Sequence, residues 1–259
     1  MLSDLSLYTL LFLFIAAFGA GLIDAIAGGG GLIQLPALLI GLSDFKTVEV
    51  LGTNKSISIF GTTASARLYR KSVKSDPKFL IALVIPALLG SIGGASLASR
   101  LPTQYFRPVV LVLLIAVAIY TFTKPELGQV EAMKHSTKHR TLLGISIAAV
   151  IGFYDGIFGP GTGSFLVLAM VGLGFAFLSA SAIAKVVNVS TNLGAIIVFG
   201  LNGVILWQIG LTLAIANVAG AIIGAKLAIR GGSTLVRKVF LVVTVALIIK
   251  VALDTFKTF

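Results

Sequence analysis

Long apolar runs recur along the whole chain, and short polar or basic segments separate them. Runs near twenty residues are long enough to cross the hydrocarbon core of a bilayer, about 30 Å thick, as α-helices. The runs predict helices at residues 5–27, 47–67, 78–98, 105–122, 141–158, 180–200, 204–229 and 235–256. The chain is therefore predicted to be an all-α, polytopic membrane protein.

Two shorter apolar pieces, 32–41 and 163–178, each follow a glycine-rich break. The breaks are the runs Gly28–Gly31 and Gly159–Gly163, in which glycine and proline cannot continue a stable helix. The first piece holds about 10 residues and reaches only about 15 Å as a helix, which is too short to cross a bilayer. Broken backbone is tolerated at membrane depth only where protein or a water-filled cavity satisfies it. Both pieces are predicted to be broken or re-entrant helices that border a cavity.

Composition supports the membrane assignment and argues against a soluble domain, a nucleic-acid-binding protein and thiol chemistry. Apolar residues make up 57% of the 259 positions and charged residues 11%, against about 25% charged in soluble domains. The net charge of +11 does not indicate nucleic-acid binding, because no basic stretch is interleaved with stacking aromatic residues. There is no cysteine, which excludes disulfides and thiol chemistry. No cofactor is predicted.

The basic residues predict the orientation of the bundle. Most Lys and Arg residues lie in three segments, 67–78, 123–140 and 230–238. Cytoplasmic loops of membrane proteins are enriched in these residues, so all three segments are placed in the cytoplasm. This arrangement requires both short pieces to cross, or nearly cross, the membrane.

Two carboxylates and two lysines interrupt the apolar segments at matching places in the chain. Asp24 and Asp155 each directly precede a glycine-rich break, and Lys55 and Lys185 follow about thirty residues later. Charges inside apolar spans are costly and by default mark a functional site. A motif that recurs in two halves of a membrane protein is typical of transporters built from internal repeats.

The duplicated motif predicts the domain organisation. Each half contains five helical elements, an odd number, so the second half enters the membrane with the opposite orientation. We therefore predict two inverted repeats, 1–122 and 141–259, joined by a basic cytoplasmic linker at 123–140.

The breaks predict an anion site. A helix that follows a break presents free N–H groups at the positive end of its dipole, which suits an anion. The alternative is close helix packing through small residues, which is common in membranes. The predicted substrate-binding residues are Gly28, Gly29, Gly30, Gly31, Gln34, Asn54, Lys55, Ser58, Gly159, Gly161, Thr162, Gly163, Ser164, Lys185, Asn188 and Asn192.

The charged residues leave two interpretations open. Polar residues follow each lysine on one helix face, Ser58 and Thr62 in one segment and Asn188 and Asn192 in the other. The lysines either neutralise an anionic substrate or form structural ion pairs with the aspartates, and both can hold in different transport states. The aspartates are counter-ions, proton carriers or ligands for a coupling cation. The cation role is weakly supported, because no further carboxylates lie nearby.

A metal site is considered at His135 and His139, four residues apart in the basic linker. No acid cluster nearby would complete the ligand set, so a solvated basic loop is the preferred interpretation. No metal is predicted.

Four segments together resemble the sulfite exporter TauE/SafE family, also called the toluene sulfonate uptake permeases. They are GLIDAIAGGGGLIQLPALL, LGTNKSIS, GFYDGIFGPGTGSF and AIAKVVNVSTN. The resemblance implies an integral inner-membrane transporter with two homologous halves, linked to sulfite, sulfonates, sulfoacetate or other sulfur-containing organic anions. The motif positions that it carries over are Asp24, Gly28–Gly31, Asn54, Lys55, Asp155, Gly159, Gly161, Lys185 and Asn188. The halves differ where Gly29 in the first corresponds to Pro160 in the second.

These observations together predict a secondary transporter that moves a small sulfur-containing anion by alternating access. The alternatives are a transporter of another small organic anion, such as a carboxylate or nucleobase, and a channel-like anion pore. A membrane enzyme is not expected, because the spans hold no Cys, no His and no carboxylate cluster. The predicted partners are the anionic substrate and membrane lipid. The oligomeric state, monomer or homodimer, is left open.

Overall fold

The structure is a computed structural model that describes residues 5–98, 130–133 and 136–256. Every regular element within these ranges is a helix, which confirms the predicted all-α class. The helices are α1 Leu7–Ala27, α2 Gly31–Gly41, α3 Thr47–Ser72, α4 Pro77–Ala98, α5 Thr137–Ile157, α6 Thr162–Gly172, α7 Phe177–Leu201 and α8 Trp207–Phe256.

Five of the described helices are long and apolar enough to cross a membrane. They are α1, α4, α5, α7 and the Trp207–Val242 part of α8. Helix α3 has the length but is more polar, since it carries Asn54, Lys55 and several Ser and Thr residues. Many of those polar side chains are buried, so neighbouring helices rather than lipid surround them. The protein is a multi-pass membrane protein.

The second short piece is shorter than predicted. The predicted helix over 163–178 is wrong at its end, because α6 ends at Gly172 and α7 already begins at Phe177. Gly174 lies between them with a φ of +103°, a conformation that few residues other than glycine adopt. Gly172 and Gly174 are a sequence signal of a helix end, but the apolar residues around them continue the hydrophobic run.

Further boundaries differ from the sequence prediction, and helix α3 continues to Ser72 rather than ending at 67. Helix α5 begins at Thr137 rather than 141, and the Ser136 hydroxyl caps it by accepting from the N–H of His139 at 3.4 Å. The predicted helices 204–229 and 235–256 are joined into α8, interrupted at Gly232 with φ of +63° and ψ of −166°. The predicted helix 105–122 and half of the linker 123–140, residues 123–129 and 134–135, lie outside the described residues.

Glycines lie at close contacts in the two most extensively packed helix pairs. Helix α1 packs along α8, and α4 packs along α5. Gly220 lies against the carbonyl of Phe18 in the first pair, and Gly94 lies against the carbonyl of Phe153 in the second. Small residues let membrane helices approach closely. The spacing Gly-x-x-x-Gly at 90/94, 152/156 and 220/224 is the signal of these contacts, and the sequence analysis did not use it.

Helices α3 and α7 lie at the centre of the bundle. They contact each other, α3 also packs on α8, and α7 also packs on α4. Helix α2 packs on α1 and α3, and helix α6 packs on α5 and α7. The two lysine-bearing helices and the two short helices therefore enclose a common central region.

Candidate functional site

The two glycine-rich breaks contact each other through their backbones. Gly28 ends α1 with a φ of +80°, and Gly161 precedes α6 with a φ of +82°, a region that glycine enters at low cost. The Ser164 N–H donates to the carbonyl of Gly28 at 3.1 Å, and its hydroxyl donates to the carbonyl of Ala27 at 2.9 Å. A Cβ at Gly28 or at Gly163 would overlap the backbone of the other. The breaks form one junction.

Each buried lysine pairs with the aspartate of the other predicted repeat. Lys55 Nζ on α3 lies 2.7 Å from Asp155 Oδ1 on α5. Lys185 Nζ on α7 lies 2.7 Å from Asp24 Oδ2 on α1. Of the two interpretations left open by the sequence, the structure thus shows the ion pairs, and it determines which acid meets which lysine.

A small cavity lies where the breaks meet α3 and α7. The volume open to the centre of a water molecule is about 20 Å³, which is room for about one water. Its lining residues are Asp24, Gly28, Gly31, Asn54, Lys55, Ser58, Thr62, Asp155, Gly159, Thr162, Gly163, Asn188 and Asn192. The lining combines both breaks with polar side chains of α3 and α7. A sulfur oxyanion could enter only if this space widened.

Most of the predicted site residues therefore come together in space. The predicted residues that do not line the cavity are Gly29, Gly30, Gln34, Gly161, Ser164 and Lys185. Ser164 uses both its N–H and its hydroxyl on the α1 carbonyls, and Lys185 is held by Asp24. Thr62, which the sequence analysis placed on the same face as Lys55, does line it.

Gln34 is held in a buried hydrogen-bond network instead of facing the cavity. Its Nε2 donates to Asn54 Oδ1 at 2.8 Å, and its Oε1 accepts from Asn217 Nδ2 at 2.8 Å. Asn217 also donates to the carbonyl of Ala17 at 3.1 Å. Asn217 was not predicted from the sequence, where its signal is a lone amide inside the apolar run of α8. This network ties α2 to α1, α3 and α8.

Polar contacts also join α3 to α7 beside the cavity. Asn192 Nδ2 donates to Thr62 Oγ1 at 3.3 Å, and the Thr62 hydroxyl donates to the carbonyl of Ser58 at 2.7 Å. Asn188 Oδ1 accepts from the Thr191 hydroxyl at 3.1 Å. Of these bonds, the one between Asn192 and Thr62 joins α3 to α7, and each of the other two lies within one helix.

Two tyrosines donate hydrogen bonds to backbone carbonyls in or next to the glycine-rich breaks, and neither was predicted from the sequence. The Tyr154 hydroxyl donates to the carbonyl of Pro160 inside the second break at 2.6 Å. The Tyr69 hydroxyl, from α3, donates to the carbonyl of Ala25 in the last turn of α1 at 2.9 Å. Each hydroxyl satisfies a carbonyl close to a break, which fixes the direction in which the chain leaves its helix.

The N-termini of both short helices open at the cavity. Gly31 begins α2 and Thr162 begins α6, and both residues line the cavity. Within the described residues, the N–H groups of Gly31 and Gly163 have no backbone acceptor. Free N–H groups at the positive end of a helix dipole favour a negative charge.

Comparison with known proteins identifies the family. The family model described as "Sulfite exporter TauE/SafE" matches residues 13–251. The chain belongs to the sulfite exporter TauE/SafE family. The resemblance stated from the sequence motifs is thereby confirmed.

The TauE/SafE chain is also similar to several named proteins. It is 37% identical to a "Probable membrane transporter protein ORF9" of a Sinorhizobium species, over 98% of this chain and 96% of the relative. It is 35% identical to a "Probable membrane transporter protein" of Haemophilus influenzae, over 97% of each chain. It is 34% identical to Escherichia coli YfcA, also named a probable membrane transporter, over 94% of this chain and 89% of the relative.

No solved structure gave a significant match to this TauE/SafE chain. The family and the relatives are described as membrane transporters and not as enzymes, which agrees with the prediction that this chain is not an enzyme. Among the residues that the structure describes, no three His, Cys, Asp or Glu side chains cluster as a metal ion would require. His135 lies outside those residues.

Proposed function

We propose that this protein moves a small sulfur-containing anion, such as sulfite or an organosulfonate, across the inner membrane by alternating access. The observation that carries the proposal is the position of Lys55. Its ammonium group lines the cavity at the helix N-termini and is 2.7 Å from a single carboxylate oxygen. A cation beside the positive ends of two helices is an environment suited to a small anion.

The ion pairs explain how such a site stays stable while empty. Lys55 is 3% exposed and Asp155 is 2% exposed, and a buried cation without a partner would be strongly destabilising. In the empty protein the aspartates supply the negative charge. An entering anion replaces a carboxylate as the partner of the lysine, so binding exchanges one ion pair for another.

The reciprocal contacts support the inverted-repeat organisation within this proposal. The first repeat supplies α4 to the second repeat's α5, and the second supplies α8 to the first repeat's α1. The two ion pairs cross between the repeats in the same way. Alternating access in transporters built from inverted repeats follows when one repeat rocks against the other around a central site. In this cycle the cavity of about 20 Å³ widens to admit the anion.

Flux measurements in proteoliposomes test the proposal. Lys55→Ala and Lys185→Ala are expected to abolish sulfite or sulfonate flux. The first removes the cation that lines the cavity, and the second leaves Asp24, which also lines the cavity, without its partner. Lys226→Ala is the matched control, since Lys226 is exposed on α8 and lies outside the lining; its flux is expected to equal that of the unsubstituted protein. Normal flux in both Lys55→Ala and Lys185→Ala would contradict the anion-site assignment.

A ligand screen separates the sulfur anions from their rivals. Sulfite, methanesulfonate, acetate and uracil are added to purified protein, and the unfolding temperature is measured. A ligand that binds only the folded protein raises this temperature. Stabilisation by the sulfur anions alone supports the proposal, whereas stabilisation by acetate or uracil alone would favour a carboxylate or nucleobase transporter. Flux that saturates and exchanges across the membrane distinguishes a transporter from a channel-like pore.

A further inference from the structure

The two ion pairs have the same length but different surroundings. Asp24 is 17% exposed, whereas Asp155 is 2% exposed. Oδ1 of Asp155 accepts from Lys55, but its Oδ2 is buried and, within the described part of the chain, has no hydrogen-bond partner. Buried carboxylate oxygens normally have a partner. This oxygen therefore requires an explanation, and Asp155 lines the cavity.

The charges that face Asp155 come from few places. Lys55 on α3 contacts it directly. On its own helix, the neighbouring Tyr154 directs its hydroxyl to the Pro160 carbonyl. Asp24 of α1 lines the same cavity and is paired with Lys185 of α7. Helix α6 carries no charged residue, and the charge on α4 lies at its first turn, far along the chain from the segment that packs against Gly156. The negative charge of Asp155 is thus balanced by Lys55.

Binding of an anion removes that balance. When Lys55 turns its ammonium group to the anion, Asp155 is left as a buried carboxylate beside a second negative charge. A buried, unpaired charge is costly, and the group is neutralised instead when a proton is available. Asp24 differs, because its greater exposure gives its carboxylate access to water if Lys185 leaves.

We propose that Asp155 binds one proton each time Lys55 passes from its carboxylate to the transported anion, so that anion and proton cross the membrane together. This inference rests on the proposed function. A hydronium ion from the side of entry gives its proton to Oδ2 and leaves as water, while Lys55 keeps its charge. On the other side the anion leaves, Lys55 returns to Oδ1, and the proton passes from Oδ2 to water.

The cavity and the charge balance are consistent with this cycle. Room for about one water beside Asp155 provides a route for the proton. One proton with one monovalent anion makes the cycle electroneutral. The transmembrane potential, worth about 2.3 kcal/mol per charge per 100 mV, then does not drive the transport of a monoanion together with its proton. A pH gradient drives this transport.

Methanesulfonate tests the inference, because it remains a monoanion over the working pH range and carries no proton itself. Proteoliposomes with an internal pH indicator receive radiolabelled methanesulfonate, and sulfite is run in parallel. In the unsubstituted protein we expect one proton per methanesulfonate and about tenfold accumulation for a one-unit pH gradient. A potassium-diffusion potential should leave the accumulation unchanged. Flux of either anion with no proton movement would overturn this inference and leave the proposed function intact; absence of flux of both would overturn the two together.

Substitutions locate the proton. In Asp155→Asn we expect the pH gradient to produce no accumulation of methanesulfonate, a loss of the tenfold concentration ratio seen in the unsubstituted protein. Exchange of labelled for unlabelled methanesulfonate should stay measurable. In Asp24→Asn, the matched control, flux falls but the ratio of one proton per anion persists. Asp155→Glu, which keeps an acid at the position, should retain the ratio of one proton per methanesulfonate. If Asp155→Asn does not fold, this variant tests whether Asp155 carries the proton. Proton-driven accumulation in folded Asp155→Asn would overturn the assignment of the proton to Asp155. Loss of proton-driven accumulation in Asp155→Glu, with exchange intact, would overturn it as well.

Discussion

Ser164 donates its backbone N–H to the carbonyl oxygen of Gly28 at 3.1 Å. The bond joins the last turn of the first spanning helix to the first turn of the second short helix. Backbone groups released by one break are thereby satisfied by the other, which explains how two interruptions can exist at membrane depth. It also brings the two predicted repeats into backbone contact at one point, next to the cavity.

Gly28→Ala is expected to destabilise the protein and reduce flux. An alanine at a φ of +80° costs about 1–2 kcal/mol in the left-handed region, and its Cβ would overlap the backbone at Gly163 and Ser164. Both penalties act on the junction of the breaks. Thermal unfolding of the purified protein should show a lower midpoint than the unsubstituted protein.

Gly19→Ala in the same helix is the matched control. A Cβ at Gly19 would meet no atom within 4 Å, and alanine in place of glycine inside a helix is favourable by up to about 1 kcal/mol. We expect an equal or higher unfolding midpoint and unchanged flux. If Gly28→Ala behaved like Gly19→Ala, the backbone contact between the breaks would not be a structural requirement.

The Lys55–Asp155 pair is expected to show opposite effects on stability and function. Lys55→Met alone leaves a buried carboxylate unpaired and should cost about 3–5 kcal/mol. The double variant Lys55→Met/Asp155→Leu removes both charges, and replacing a buried ion pair with apolar residues is often neutral or stabilising. Unfolding in detergent should therefore rank the double variant above the single one, while neither transports.

This comparison separates folding from transport. A double variant that folds well yet carries no anion shows that the charges serve transport rather than stability. A double variant that still transports sulfite or methanesulfonate would contradict a role for Lys55 in binding the anion.

The Gln34–Asn217 hydrogen bond is expected to show strong energetic coupling. Gln34→Leu leaves Asn217 without one of its partners, and Asn217→Leu leaves Gln34 Oε1 without its donor. An unsatisfied buried polar group costs about 1–3 kcal/mol. The double variant should lose less stability than the sum of the single variants, by about 0.5–3 kcal/mol. If the stability loss of the double variant equalled the sum of the two single losses in thermal unfolding, Gln34 and Asn217 would not be energetically coupled.

The site could be predicted in part because its rarest features are local. Asp24, Asp155, Lys55 and Lys185 stand out as charges inside apolar runs, and their duplication pointed to one shared site. The end of α6 could not be read in the same way. Gly172 and Gly174 mark its turn, but the apolar residues around them hide it within a longer hydrophobic run, and the structure locates it by the left-handed backbone of Gly174.

Hydrogen-bond networks were the least predictable part of the site. Gln34 was predicted to face the anion, but its amide is occupied by Asn54 and by Asn217 on a helix far along the chain. A polar side chain on a helix face has several partners open to it in sequence. Only the packing of α2 against its neighbours selects among them.

The sequence by itself determined that this protein is an all-helical membrane protein with two glycine-rich interruptions and buried charges. Helix length, apolarity and backbone interruption are properties of short segments, so the order of residues is sufficient to reveal them. The tertiary structure alone decided that Lys55 meets Asp155, that Lys185 meets Asp24 and that the interruptions touch. Those contacts join distant segments, and which segments come together depends on how all the helices pack at once.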